Sequence, residues 1–323
     1  MKNFWKKIKK PITVLAPMDD VTDFVFREMM VDLGKPDVMY TEFTSADSIF
    51  SNGRTKALEG LKFSDDERPV VGQIWGANPE NMGKSSALLC ELGFDGIDIN
   101  MGCPDKSVFS ANAGSALIGN FELSQKIIES VVNNSGGLPV SIKTRLAGTK
   151  EKSDEWLSFL LKQDIKCLIL HARTRKQMYG GSADWDYIKY AVDIKNTVSP
   201  ETIFIGNGDV KNYAEIIDKS QKYGVDGVMV GRGILHSPYL FRKDDAEKFP
   251  TVSEGLLLLE KHLGLYKKTW GDRKNIANLK KFVKAYIHNF RGADAVRHSL
   301  MLCKNYEEFK AAVEQAKDQA YHN

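Results

Sequence analysis

The feature that most restricts this chain is a rhythm. Eight short apolar runs rich in β-branched residues recur at 12–18, 38–44, 70–75, 96–101, 140–145, 167–172, 202–206 and 227–231, their starts 26, 32, 26, 44, 27, 35 and 25 residues apart. Each interval has room for a crossover helix, and helical periodicity returns between the runs at 21–33, 123–132 and 213–223. Near-continuous apolar strands alternating with helices imply a parallel sheet covered on both faces. Eight such units fit an α/β fold of the (β/α)8 TIM-barrel type better than an open doubly wound sheet. No Gly-x-Gly-x-x-Gly follows the first run, which argues further against a dinucleotide-binding open sheet.

After Pro238 the pattern becomes helical only. Residues 243–250 read as a charged linker, so a barrel domain is expected over 1–243 and a small all-α domain over 244–323. Within 274–291, Ile276, Leu279, Val283, Tyr286, Ile287 and Phe290 form one apolar stripe, which is core. Lys274, Lys281, Lys284, His288 and Arg291 fall on a different face of the same expected helix. Charge concentrates here: between Lys261 and Lys304, eleven Lys and Arg stand against two acids, Asp272 and Asp294. A polyanionic partner or a solvated lysine-rich surface both account for that excess.

With 42% hydrophobic and 27% charged residues, the chain has the composition of a folded soluble protein. Its basic start is followed by an apolar run that stops at Pro17 before Asp19 and Asp20, so no signal-peptide core forms. No run reaches the ~18 apolar residues of a membrane span. A cytoplasmic, membrane-free protein is expected. The four cysteines, Cys90, Cys103, Cys167 and Cys303, are far apart and form no Cys-x-x-Cys pair, so neither a metal site nor a disulfide framework is expected. Oligomerisation is not expected.

Barrels of this type build their active sites at the C-terminal ends of the strands. Here those ends carry Ala16-Pro17-Met18-Asp19, Thr41-Glu42, Gln73, Asp98 to Pro104, Lys143 with Arg145, His171 with Arg173, Asn207-Gly208-Asp209 and Gly231-Arg232-Gly233. One such residue has a structural explanation; eight strands together call for a ligand. Gly206, Gly208, Gly231 and Gly233 let backbone N–H groups approach an anion after strands seven and eight, and Arg232 adds a fixed cation. A phosphate-bearing ligand follows. Lys143 is suited to a Schiff base or to holding negative charge on a cofactor ring. Cys103, between Gly102 and Pro104, can present its sulfur on a loop. With a reference pKa of about 8.5 such a thiol is protonated at neutral pH and can act as a general acid.

These residues resemble the tRNA-dihydrouridine synthase family. The likeness is carried by Ala16-Pro17-Met18-Asp19-Asp20-Val21-Thr22-Asp23, Asp98-Ile99-Asn100-Met101-Gly102-Cys103-Pro104-Asp105, Gly114-Ser115-Ala116-Leu117, Ser141-Ile142-Lys143-Thr144-Arg145, His171-Ala172-Arg173-Thr174, Gly206-Asn207-Gly208-Asp209 and Gly231-Arg232-Gly233, in family order. The resemblance implies an FMN flavoenzyme, reduced by NADPH or NADH, that saturates the C5–C6 bond of selected uridines in tRNA. It implies hydride delivery from flavin N5 to C6, with Cys103 giving the proton to C5. Pro17, Met18 and Asp19 would border the flavin, Gln73 and Lys143 would meet its polar ring atoms, and Asn100 would face the uracil. His171, Asn207, Gly208, Asp209, Gly231 and Arg232 would enclose the ribityl and phosphate portion. Arg173 and the helical residues Lys281, Lys284 and Arg291 would serve the tRNA. The pair Asp19-Asp20 departs from the small residue or glycine found there in many members. A dihydroorotate-dehydrogenase-like flavoenzyme, a phosphate-sugar isomerase or Schiff-base lyase using Lys143, and a tRNA-binding scaffold remain alternatives from the residues themselves.

Overall fold

In the computed structural model, residues 3–243, 249–288, 290 and 292–321 are described. Eight strands form: β1 (Ile12–Leu15), β2 (Met39–Ser45), β3 (Val70–Trp75), β4 (Gly96–Met101), β5 (Val140–Leu146), β6 (Cys167–Thr174), β7 (Ile203–Asn207) and β8 (Gly227–Val230). Each begins within one residue of its apolar run, because a strand buried on both faces needs unbroken β-branched and aliphatic side chains. The sheet order is β1-β8-β7-β6-β5-β4-β3-β2, every pairing parallel. A bridge between Val14 and Val38, with Leu15 N–H donating to Val38 O at 3.0 Å, brings the two ends of the sheet together. The result is a nearly closed (β/α)8 barrel.

Alternate residues along the strands fill one cluster: Ile12, Val14 and Ala16, then Val38 and Tyr40, Cys167 and Ile169, and Ile203 and Ile205. Trp5, from the short helix Phe4–Lys7, joins it and is 1% exposed. Helices between strands start on side-chain caps. Asn78 caps Pro79–Glu91, Thr149 caps Lys150–Leu161 and Asp184 caps Trp185–Val198. Each such cap contributes about 1 kcal/mol.

The chain divides into two compact units. The second comprises Asp20–Lys35, Lys211–Tyr213 and the chain from Arg232 onward. It therefore gathers more than the tail expected from the sequence, because the helix Phe24–Gly34 shares its apolar core. Phe26 stacks on Phe282 at 4.6 Å, and Asp23 accepts from Trp270 Nε1 at 2.9 Å. The single helix expected over 274–291 is not formed. Ile276–Phe282 is a 3₁₀ helix, continued by one α-turn, Val283–Tyr286. The apolar spacing explains this: Ile276, Leu279 and Phe282 repeat every three residues, the 3₁₀ period. Lys274 also leaves the expected cationic face, since it pairs with Asp23 and lies 4.3 Å over the Trp270 ring. His288 does so too, stacked on Phe249 at 4.6 Å. Of the expected linker, 244–248 lies outside the described residues. Among the described residues no helix is long and apolar enough to cross a membrane.

Candidate active site

Register sets the centre of the site. Gln73 is aligned with Asp98 across β3 and β4, Asp98 with Ser141 and Asn100 with Lys143 across β4 and β5. Residues aligned this way share a face, so polar groups at every second position meet inside a wall that is otherwise aliphatic. Gln73 Nε2 donates to Asp98 Oδ2 at 2.7 Å, and Ser141 Oγ donates to Asp98 Oδ1 at 2.6 Å. Asn100 Nδ2 donates to Gln73 Oε1 at 2.9 Å. Asn100 Oδ1 accepts from the backbone N–H groups of Gly102, at 3.1 Å, and Cys103, at 2.9 Å. Tyr40 Oη lies 3.2 Å from Ser141 Oγ. Burial raises the Asp98 carboxyl to about 7, against the opposing pull of the Ser141 and Gln73 hydrogen bonds and the Lys143 charge.

Cys103 is half-buried on the turn that this chain of bonds holds. Burial pushes its thiol up, with the charge of Asp105 adding to the rise and Lys143 and Arg145 pulling it down. The group is thus protonated at neutral pH. Lys143 is partly buried, and burial with the like charge of Arg145 lowers its ammonium to about 8. Among the described residues its Nζ has no hydrogen-bond or ion-pair partner. Arg145 is held elsewhere, donating to Met178 O at 2.8 Å with its guanidinium 5.6 Å from the centre of the Tyr179 ring.

The ends of β6 and β7 form a second cluster. Arg173 is 2% exposed and fully engaged: Nε donates to Gly180 O, and Nη2 donates to Gly181 O at 2.6 Å and to both carboxylate oxygens of Asp209. Its Nη1 lies 3.3 Å from His171 Nε2. Asp209 also accepts from Ala183 N–H at 2.7 Å. Asn207 Nδ2 donates to Met229 O at 2.7 Å. Gly208 has φ +134°, and a Cβ there would lie 2.5 Å from Ala183 Cβ, so the fold itself requires glycine. Gly231 differs. A Cβ on it would meet only Met18 Sδ at 3.6 Å and Ala16 Cβ at 3.7 Å, ordinary contacts. Packing does not demand glycine at 231.

Pro17 and Met18, just past β1, are half-buried and Asp19 is exposed. Asp20 turns to its own unit, accepting from Asn278 Nδ2 at 2.9 Å with Lys281 Nζ 3.8 Å from its carboxylate. Arg232 opens the short helix Arg232–Leu235 of the second unit. Lys281 and Lys284 are both exposed there, and Arg291 lies outside the described residues. The sequence places Asp98 among the polar strand ends and Ser141 in a family motif without marking a role for either, and it does not mark Tyr40. The available signal was a carboxylate between Ile97 and Ile99, in a strand whose other positions should all be aliphatic.

Fold and site together define a (β/α)8 barrel that gathers buried polar and ionisable groups at its strand ends. Over residues 14–321 the sequence matches the family model described as Dihydrouridine synthase (Dus), and the chain belongs to that family of oxidoreductases. It is similar to a probable tRNA-dihydrouridine synthase of Staphylococcus aureus (strain MRSA252), 39% identical over 317 residues covering 97% of this chain and 95% of that one. The probable tRNA-dihydrouridine synthase 2 of Bacillus subtilis (strain 168) is 40% identical over 316 residues, 97% and 96% of the two chains. Among solved structures, histamine dehydrogenase from Rhizobium sp. 4-9 gives a TM-score of 0.55 at 12% identity over 98% of this chain and 63% of that one. Morphinone reductase in complex with tetrahydroNAD gives 0.52 at 11% identity over 75% and 89%. At such identities the likeness is one of fold.

Proposed function

We propose that this chain reduces the C5–C6 double bond of uridine in tRNA, with FMN as cofactor and NADPH or NADH as reductant. The observation that carries the reading is the combination of a protonated half-buried thiol, Cys103 on the turn just past β4, with a cation, Lys143 in the adjacent β5, that has no partner among the described residues. The residues fit a flavin mononucleotide. Lys143 suits the electron-poor, carbonyl-bearing rim of the ring, whereas Gln73, fully buried with both ends of its amide bonded, is held back from it. Gly231 leaves open a position that packing would let a side chain fill, as close approach of a phosphate requires. Pro17 and Met18 supply apolar surface for the ring edge. When bound, the flavin supplies the electron pair drawn from the nicotinamide.

The chain's own groups do the rest. Cys103 Sγ–H holds the proton destined for C5. Lys143 places positive charge where electron density accumulates. Asn100, with its carbonyl committed to the Cys103 turn, keeps one free Nδ2 hydrogen for a pyrimidine carbonyl. Asn207, Asp209 and Arg173 act by shaping the loops after β6 and β7, and His171 borders the same cluster. In the second unit, Lys281 and Lys284 give the charge that a tRNA backbone calls for. A stacked uracil must be extruded to reach any such centre.

The test is spectroscopic. The purified protein should carry a yellow chromophore that NADPH bleaches without oxygen, and unmodified tRNA transcript should restore the colour. A colourless protein that takes up no FMN contradicts the reading, and bleaching followed by recovery with orotate instead of tRNA would favour the free-pyrimidine alternative.

A further inference from the structure

We propose that Asp98 is a positioning residue: it is the acceptor terminus of a relay, Asp98–Gln73–Asn100, that fixes the orientation of both amides and so pins the Cys103 turn. Chemistry gives the relay one direction. Backbone N–H groups only donate, so the Asn100 atom facing Gly102 and Cys103 must be its oxygen, at 3.1 and 2.9 Å. Its nitrogen then faces Gln73 Oε1 at 2.9 Å, which turns Gln73 Nε2 toward Asp98 at 2.7 Å. That last nitrogen needs a buried acceptor, and the Asp98 carboxylate is one. Its other oxygen is occupied by Ser141 Oγ at 2.6 Å, itself backed by Tyr40 Oη at 3.2 Å.

Gln73, Asp98 and Ser141 are 0%, 0% and 1% exposed, so no water competes for these bonds. Loss of the terminal acceptor frees Gln73 to turn over. Asn100 Nδ2 would then lose its acceptor, and the two N–H groups of the Cys103 turn would lose their anchor. Asp98 touches neither substrate nor cofactor in this account. It acts through Gln73 and Asn100, at the distance of two side chains from the thiol.

The relay's direction can be reversed on purpose. In Asn100→Asp the new carboxylate still accepts from Gly102 and Cys103 but can no longer donate, so Gln73 must turn its nitrogen toward it and its oxygen toward Asp98. At pH 8 and above, where Asp98 with its value of about 7 is ionised, two acceptors then face each other. Adding Asp98→Asn restores a donor at that point, because the new amide can give an N–H to Gln73 Oε1 while its oxygen accepts from Ser141. Amide hydrogen exchange at Gly102 and Cys103, measured on the protein as purified, reads the outcome. Asn100→Asp should speed exchange at least tenfold, and Asp98→Asn in the same chain should bring it back to within threefold of the parent.

A double variant no better protected than Asn100→Asp, or an Asn100→Asp protein with unchanged exchange, overturns the proposal. If Asn100→Asp alone does not fold, folding of the double variant is the rescue, and its failure refutes the relay. The catalytic consequence rests on the function proposed above. Asp98→Ala should slow uridine reduction more than tenfold while NADPH still reduces the bound flavin at near the parental rate, and equal loss of both would mark a merely structural role. Because hydrogen exchange needs no substrate, it tests the relay even if the chain proves inactive on tRNA.

Discussion

Gly231→Ala separates what the fold requires from what a phosphate requires. An added Cβ would meet nothing nearer than 3.6 Å, and the backbone there is not left-handed. The flavin-free protein should therefore change in stability by no more than about 0.5 kcal/mol. The methyl group instead occupies the approach of the proposed phosphate. A charge-assisted bond from a backbone N–H is worth about 1.5–3 kcal/mol, so FMN should bind roughly 10- to 100-fold more weakly. Gly208→Ala is the control. Its φ of +134° and the 2.5 Å approach to Ala183 Cβ should cost about 2–4 kcal/mol of stability. Urea unfolding of the flavin-free protein, with fluorescence titration by FMN, measures both quantities. If Gly231→Ala binds FMN like the parent, or loses as much stability as Gly208→Ala, the reasoning is wrong.

Cys103→Ala should keep its flavin and its reduction by NADPH yet lose uridine reduction by about 100-fold, the scale of one general acid; single-turnover reoxidation by tRNA measures it. Lys143→Met should stabilise the flavin-free protein at pH 7 by about 2 kcal/mol, because a partly buried ammonium with no partner among the described residues is removed. The sign follows from a folded-state value of about 8, below the ordinary 10.5: the cost is full below pH 8 and fades as the pH rises toward 10.5. Urea midpoints from pH 7 to 10 should show the gain shrinking. Lys284→Glu should weaken tRNA binding and lower the slope of log affinity against log salt by about 1. An unchanged slope would leave Lys284 off the binding surface.

The strands were legible because burial on both faces writes itself as contiguous β-branched residues. The turn bearing Cys103 was legible because Gly102 and Pro104 bracket a thiol just past a strand end, where barrels of this type build their sites. Asp98 was not, because its partners Gln73 and Ser141 stand 25 and 43 residues away and only register brings them together. Arg173 shows the same limit. Residue type admits a ligand contact, but the chain wraps back to give it Asp209 and two carbonyls. The helix Phe24–Gly34 declares an apolar face in its sequence without declaring what covers it. That is how a helix expected in the barrel comes to share a core with Trp270 and Phe282.

The central claim is that this barrel saturates a uridine. Unmodified tRNA transcript incubated with the purified chain, FMN and NADPH, then digested and weighed nucleoside by nucleoside, tests it most directly. Uridine heavier by two hydrogens at a defined position, absent when Cys103→Ala replaces the parent, is the result expected. Transcript of unaltered mass, recovered from protein that has its flavin and oxidises NADPH, would contradict it.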